Sequence, residues 1–327
     1  MFIPVIGFLT LFAMTCTLVG LGLTETFNQP GFGSTAVIVA VLAALLYGAR
    51  LEWALSLTKE KTQNAKIGGN DLANFVAVVI GAIIAYFINV TLGLGGVVAV
   101  GLVGVTTNLV APKHDVPVYC GGIMGMASGA LLPTYAYVLL AAIIAGIVFV
   151  ISKFTFNGFG GKLGTTAITG CVLTALITGQ PFGSSPVPAG DVILLYVIYC
   201  AMGAVLSFGV KEYFKHNAVM SSALIALLAG LLLPALNPQM GGALAVVASV
   251  GAFAGMSAPA RIPNLAYMFV AGIIGGVIYS YTSPYLGGAG GKLGTTAFSS
   301  VVALNAMISL AKNFSGKSQV QQAKTPH

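Results

Sequence analysis

Two copies of one octapeptide, GGKLGTTA, hold the residues of this chain best suited to bind a solute. The copies run from Gly160 to Ala167 and from Gly290 to Ala297. Glycines ahead of a lysine and two threonines are typical of a loop that leads into a helix, where hydroxyls bond the free amides of the first turn. Such amides, with a lysine beside them, favour a negatively charged ligand. The octapeptides therefore predict a site for a carboxylate or an inorganic anion.

A second pair of segments has the composition of broken helices that line a cavity. Residues 117–131 read PVYCGGIMGMASGAL and residues 250–260 read VGAFAGMSAPA, each shortly before a proline, Pro133 or Pro263. The predicted substrate-binding residues of the octapeptides and of these segments are Gly160, Gly161, Lys162, Gly164, Thr165, Thr166, Gly290, Gly291, Lys292, Gly294, Thr295, Thr296, Gly125, Met126, Gly255, Met256 and Asn264.

A purely structural interpretation competes with this one. Glycines also let helices approach closely, and a lysine near the end of a span often only extends to the membrane surface. Asn108 and Asn264 suit hydrogen bonds between helices as well as contact with solute. The sequence KHD at 113–115 is a charged loop whose lone histidine is expected to be solvated and to bind no metal.

The composition predicts that these residues lie in a membrane. Of the 327 residues, 57% are hydrophobic and only 6% are charged, and the mean hydropathy is +0.97. We expect one all-α transmembrane domain over residues 1–311, with a disordered cytoplasmic tail at 312–327. Residues 1–23 contain no Lys or Arg, so they are predicted to be a retained first span and not a signal peptide. The four cysteines lie in apolar stretches and are expected to be buried thiols.

The apolar segments predict about 12 membrane elements, of which 117–131 and 241–258 are short enough to be re-entrant or broken. If both short segments cross, the loops with most Lys and Arg fall on one side, which is then cytoplasmic together with both termini. A bacterial inner membrane is the expected location. The ten longer segments are 2–23, 34–57, 72–92, 95–111, 134–152, 163–180, 190–210, 218–236, 264–281 and 293–311.

The chain also contains an internal duplication. Residues 121–169 align with 251–299 without a gap and with 20 identities in 49 positions. Extended over the neighbouring spans, the units are 72–180 and 190–311, and residues 1–60 add two helices outside the repeat. Each unit contains five elements, an odd number, so the second unit should be inverted in the membrane. Inverted repeats are a recurrent architecture of secondary transporters. One difficulty follows: the octapeptides would begin on opposite faces and could share a site only if both loops entered the membrane.

The chemistry that the sequence lacks narrows the function. All seven acidic residues lie at or beyond the predicted span ends, which disfavours a proton pump or a cation exchanger driven by a buried carboxylate. Enzymatic motifs and paired catalytic carboxylates are missing, so we expect no enzyme and no cofactor. We predict a secondary transporter of a small, anionic solute, in contact with membrane lipid and not with nucleic acid. Coupling to Na⁺ or H⁺ and assembly into a homo-oligomer are left open.

Two alternatives remain at this stage. The same glycine-rich core suits a channel for a small neutral or anionic solute. A non-transporting membrane subunit or scaffold would use the duplication for packing against partner helices.

Overall fold

The computed structural model describes residues 2–28, 32–56 and 68–322, which form helices joined by short loops and contain no strand. A π-helical turn, Phe87–Thr91, extends the third helix. Within the described ranges the helices are α1 (Phe2–Asn28), α2 (Phe32–Ser56), α3 (Gly69–Tyr86), α4 (Gly96–Val110), α5 (Asp115–Met124), α6 (Tyr135–Ile151), α7 (Lys162–Thr178), α8 (Gly190–Tyr213), α9 (Ala218–Leu236), α10 (Gly241–Gly255), α11 (Leu265–Thr282) and α12 (Lys292–Gln322).

The chain is an all-α integral membrane protein, as its composition predicts. A helix satisfies its backbone amides and carbonyls internally, which hydrocarbon requires. Seven stretches of the described chain are long and apolar enough to cross a membrane, namely Ile3–Asn28, Thr35–Leu55, Gly69–Thr91, Gly190–Tyr213, Ala218–Leu236, Leu265–Thr282 and Lys292–Phe314. Along α3 the large side chains of Leu72, Val76 and Ile80 are exposed at a four-residue spacing, which suits contact with lipid.

Two helices end inside the apolar segments that the sequence marks as short. Helix α5 stops at Met124 and α10 at Gly255, and the chain resumes helical structure only at Tyr135 and Leu265. With ten residues, α5 is too short to span a bilayer by itself. The expected broken helices are therefore present, whereas the number of membrane crossings stays a prediction.

The two halves of the chain repeat one packing arrangement. In the first half α3 crosses α5, and a Cβ added at Gly121 would lie only 1.9 Å from the carbonyl oxygen of Val78. In the second half α8 crosses α10, and a Cβ at Gly251 would lie 1.9 Å from the carbonyl oxygen of Cys200. Gly121 and Gly251 are 130 positions apart, the offset of the duplication. Glycine at each crossing lets the backbones touch.

The N-terminal hairpin packs against the end of the duplicated core. Helices α1 and α2 contact each other and α12, and α1 also contacts α6, α7 and α11. Arg261, in the loop after α10, forms a two-pronged ion pair with Glu52 of α2, and its Nε donates to the carbonyl oxygen of Asn157. One guanidinium thus joins the hairpin to both halves.

The structure bears differently on two polar segments, the basic loop after α2 and the C-terminal tail. The basic loop at Lys59, Lys61 and Lys66 lies outside the described residues, as does 323–327. Residues 312–322, which the sequence predicted to be a disordered tail, continue α12 as a helix. Lys and Gln in this stretch have good intrinsic helix propensity, and the span that precedes it removes the cost of nucleation.

Candidate functional site

The two octapeptides meet where α7 and α12 begin. Gly161 and Gly291 precede these helices with φ of 79° and 98°, a conformation that favours glycine. One turn later Gly164 and Gly294 touch: a Cβ added at Gly164 would lie 2.5 Å from the Cα of Gly294, and the reverse substitution gives 2.6 Å. The structure therefore places the two motifs together, and both loops lie at the contact between the halves.

The contacts between the octapeptides are reciprocal. Gly161 lies against the carbonyl oxygen of Gly294, and Gly291 lies against the carbonyl oxygen of Gly164. Ahead of them, a Cβ at Gly160 would lie 2.4 Å from the carbonyl oxygen of Ala254 in α10. The matching Cβ at Gly290 would lie 2.1 Å from the carbonyl oxygen of Met124 in α5. Each octapeptide thus packs against the broken helix of the other half.

The loops that lead into the octapeptides share one backbone conformation. Phe156 and Leu286 have φ of 51° and 52°, and Gly158 and Gly288 have φ of 82° and 81°. Each loop is also bonded to the broken segment of the opposite half. The Ser128 amide donates to the Gly288 carbonyl at 2.9 Å, and the Ala258 amide donates to the Gly158 carbonyl at 2.8 Å. Ser128 and Ala258 are 130 positions apart, and so are Gly158 and Gly288, so each of these bonds is the counterpart of the other. The two halves are therefore related by an approximate two-fold rotation.

The threonines of the octapeptides do not cap the helices as the sequence predicts. The Thr166 hydroxyl donates to the Lys162 carbonyl, and the hydroxyls of Thr295 and Thr296 likewise donate to carbonyls four residues earlier. The Thr165 hydroxyl is buried and has no partner in the described part of the chain. Because glycine occupies the cap, the threonines fall one turn inside the helix, where a hydroxyl reaches a carbonyl more readily than a free amide.

A first cavity of about 700 Å³ opens beside the first octapeptide. It lies between the halves, because residues of α3, α5, α6 and α7 share its wall with the start of α9 and with Met256. Its polar and charged lining residues are Asn74, Lys113, Asp115, Ser152, Lys153, Asn157, Lys162, Thr166 and Asn217.

A second cavity of about 420 Å³ opens beside the second octapeptide. Its wall combines Gly96, Val97, Met126 and Ser128 from the first half with residues of the second half. The remaining lining residues are Ser185, Pro186, Pro188, Tyr196, Ala243, Val246, Tyr279, Ser283, Gly287, Gly288, Ala289, Gly290, Gly291, Lys292 and Leu293.

The cavities are counterparts that lie at opposite ends of α4. The second includes Gly96, the first residue of this helix, and the first includes Pro112, just past its last residue. Fifteen helical residues separate these ends by about 22 Å. Met256 lines the first cavity and Met126 the second, so each broken segment contributes to the cavity of the other half's octapeptide.

The two lysines of the octapeptides have different surroundings. The Lys162 ammonium donates to the carbonyl oxygens of Ser152 at 2.8 Å and Thr155 at 2.6 Å, and to Asn157 Oδ1 at 3.0 Å. The Lys292 ammonium has one acceptor in the described chain, the Ser283 carbonyl at 3.1 Å. Its Nζ also lies 6.0 Å from the centre of the Tyr279 ring. Identical octapeptides therefore present one fully bonded ammonium and one with donors to spare.

Several predicted site residues lie in the packing and not on either cavity wall. Gly125 and Gly255 are crossing points against the carbonyl oxygens of Ala82 and Ala204. The Asn264 side chain accepts from the Tyr267 amide at 3.1 Å and so caps α11. Gly160, Gly164, Gly294, Thr165, Thr295 and Thr296 also lie off both walls.

Asp115 of the KHD sequence joins the halves. Its carboxylate accepts from the amides of Asn108 at 3.1 Å and Asn217 at 2.5 Å, and Asn217 caps α9. His114 is exposed, as expected for a solvated loop histidine. Asn108 therefore bonds one helix to another, which is one of the two roles predicted for it.

The sequence did not single out the tyrosines and serines of the second cavity. The ring centres of Tyr196 and Tyr279 are 5.8 Å apart, and Ser128 and Ser283 line the same cavity as Lys292. The alignment pairs Tyr279 with Phe149, but this pairing marks it as a site residue only once the structure shows that Phe149 lines the first cavity. Tyr196 lies upstream of the stretch where the duplication is readable.

No known protein family matches this chain, and no curated protein or solved structure matches it either. What the two cavities bind is therefore inferred from their own geometry and charge.

Proposed function

We propose that this protein is a secondary transporter that carries a small anion across the membrane by alternating access. The observation that carries the proposal is the pair of counterpart cavities at opposite ends of α4, each lying between the halves and each beside one octapeptide lysine. Solute sites at the interface of two repeats, with broken helices nearby, are characteristic of secondary transporters.

The position of the cavities supports an inverted repeat. A two-fold axis along the membrane normal would place counterpart cavities at the same end of a helix. An axis in the membrane plane places them at opposite ends, which is the arrangement around α4. The axis would pass near the Gly164–Gly294 contact, where the octapeptides touch. Each half would then cross the membrane in the opposite direction, as the five elements per unit predict.

Two conformations of nearly equal energy follow from such a relation. The halves can tilt against each other, so that the cavity that is open on one side closes as its counterpart opens. The Gly164–Gly294 contact is the natural pivot, because backbone touches backbone there and no side chain has to be moved. The two cavities are separate, which favours alternating access over the continuous pore of a channel.

The charge of the cavities supports an anionic solute. Lys162 and Lys292 lie on the two walls, and no acidic residue of the described chain lines the second cavity. The first cavity opens at the end where Lys113 and Lys153 lie, so we propose that it faces the cytoplasm, with both chain termini on that side of a bacterial inner membrane. Coupling to Na⁺ or H⁺ is compatible with this proposal and stays open.

Counterflow in proteoliposomes tests the proposal. Vesicles loaded with an unlabelled anion should take up the labelled anion transiently above equilibrium, with a rate that saturates. Uptake that never saturates and shows no counterflow would indicate a channel. An absence of flux for every anion in a panel, with a fixed protein partner in the purified sample, would indicate a scaffold.

A further inference from the structure

We infer that the identical octapeptides have different tasks: Lys292 binds the solute, a singly charged anion with a small apolar body, whereas Lys162 holds its own loop in place. The inference rests on the proposed function and names the solute class and the binding residue within it. It departs from the symmetry of the sequence, which predicted both lysines as ligands.

Lys162 has no hydrogen left for a solute. An ammonium group offers three donors, and the Ser152 carbonyl, the Thr155 carbonyl and Asn157 Oδ1 accept all three within 3.0 Å. These acceptors belong to the loop that leads into the octapeptide. Binding a solute at this nitrogen would require one of the three bonds to break. The geometry is that of a side chain that stabilises a loop.

Lys292 is a buried cation with unused donors. Only 8% of its surface is exposed, its ammonium has one acceptor in the described chain, and it lines the second cavity. A buried ammonium without a counter-charge is costly in an apolar protein interior. The neighbouring Tyr279 ring attracts the cation weakly at 6.0 Å and does not neutralise it. An anion in the cavity would supply both the missing acceptors and the missing charge.

The cavity wall sets the charge of the solute. Among the described lining residues of the second cavity, Lys292 is the one charged side chain. A single negative charge balances it, whereas the second charge of a dianion would be left unpaired and partly desolvated. The Ser128 hydroxyl lies on the same wall, where it accepts from the Leu131 amide and can donate its hydrogen to a carboxylate. The site therefore selects a monoanion.

The rest of the wall sets the body of the solute. Tyr196 and Tyr279 line the cavity with their ring centres 5.8 Å apart, together with Pro186, Pro188 and Val246. Gly121 meets Val78 and Ala82 of α3 as Gly251 meets Cys200 and Ala204 of α8, an offset of 122 that makes Asn74 the counterpart of Tyr196. Phe149 is the counterpart of Tyr279, so the first cavity has an amide and a ring where the second has two rings. Aromatic walls bury apolar or planar groups of a ligand. A small carboxylate with an apolar or aromatic body fits this lining.

Thermal unfolding of the purified full chain tests the inference with benzoate as the probe. Benzamide is the neutral control of the same shape, and sulfate is the dianion control. The wild-type protein should be stabilised by benzoate in a saturable manner and by neither control. Sulfate that stabilises more than benzoate, or no response to benzoate at all, would overturn the assigned solute class.

Matched variants then separate the two lysines. Lys292→Gln should raise the benzoate concentration for half-maximal stabilisation by at least about tenfold, because a buried ion pair is lost. Lys162→Gln should lower the unfolding temperature without ligand yet leave that concentration within about threefold, a small change on the affinity scale. Lys292→Arg keeps the charge and should retain part of the response, which covers the case in which Lys292→Gln fails to fold. An unchanged benzoate response in Lys292→Gln would refute the assignment.

Uptake into proteoliposomes distinguishes failure of this inference from failure of the proposed function. Benzoate binding that depends on Lys292, without counterflow of any monoanion, would support the binding site and refute transport. Saturable counterflow of an anion that persists unchanged in Lys292→Gln supports transport and refutes the role of Lys292.

Discussion

Replacing Gly164 by alanine tests the contact on which the two-fold arrangement depends. The added Cβ would lie 2.5 Å from the Cα of Gly294 and 3.0 Å from the carbonyl oxygen of Gly291. Both neighbours are backbone atoms, so the strain cannot be relieved by turning a side chain. Overpacking of this kind costs about 1–3 kcal/mol. Because Gly164 has ordinary helical dihedrals, the penalty is steric and owes nothing to a strained backbone.

The assay is thermal or denaturant unfolding of the purified protein in detergent, with solute uptake as a second readout. Gly20→Ala in α1 is the matched control, since its added Cβ would have no atom within 4 Å. We expect Gly20→Ala to be neutral or slightly stabilising, by up to about 1 kcal/mol from helix propensity. Gly164→Ala should be destabilised and should lose uptake.

A double substitution sharpens this test. Gly294→Ala meets the same contact from the other side, with its Cβ 2.6 Å from the Cα of Gly164. If the halves are forced apart by either alanine, the second one adds less than the first, and the two losses of stability are not additive. Gly164→Ala with the stability and uptake of Gly20→Ala would refute the packing described for the octapeptides.

Two further predictions concern the polar ties around this centre. Arg261→Gln leaves the buried Glu52 carboxylate without its cation. The free energy of unfolding should therefore fall by about 3 kcal/mol, the lower end of the range for breaking a buried ion pair. Adding Glu52→Gln should restore part of that loss in a double-mutant cycle, and a purely additive result would contradict the pairing. Asp115→Asn replaces an acceptor of two amides, from Asn108 and Asn217, and should cost about 1–3 kcal/mol in the same assay. A neutral Asp115→Asn variant would show that the bonds from Asn108 and Asn217 to the Asp115 carboxylate contribute nothing to stability.

The membrane class and the breaks in two helices are readable from the sequence because they depend on local composition. An apolar run of about 20 residues can bury its backbone in lipid only as a helix. The small residues around Gly125 and Gly255, followed by Pro133 and Pro263, interrupt helices where the structure shows α5 and α10 ending. The duplication at an offset of 130 is likewise a property of the string of residues.

The meeting of the octapeptides is not readable in the same way. Gly164 and Gly294 are 130 positions apart, and their contact depends on how ten packed helices place two loops. The sequence predicted loops that start on opposite faces, and it marked their convergence as a difficulty. It also could not show that Lys162 is saturated by its own loop while Lys292 is not, since the octapeptides are identical and the difference lies in Thr155 and Asn157.

The threonines illustrate a different kind of error. The helix start was expected close enough to Thr165 and Thr295 for their hydroxyls to cap it. Gly161 and Gly291 take the cap, and the hydroxyls of Thr166, Thr295 and Thr296 donate to carbonyls of the preceding turn. A shift of a few residues in a helix boundary is enough to change a predicted ligand into a packing residue.

The most direct test of the central claim is the sidedness of the two cavities in intact cells. Asn157 and Ser185 are exposed lining residues of the first and second cavity, and three of the four native cysteines are buried, which keeps background labelling low. A membrane-impermeant thiol reagent added outside should label Ser185→Cys, whereas Asn157→Cys should react only after the membrane is permeabilised. Labelling of both variants from the same side would contradict the inverted arrangement and, with it, alternating access between these cavities.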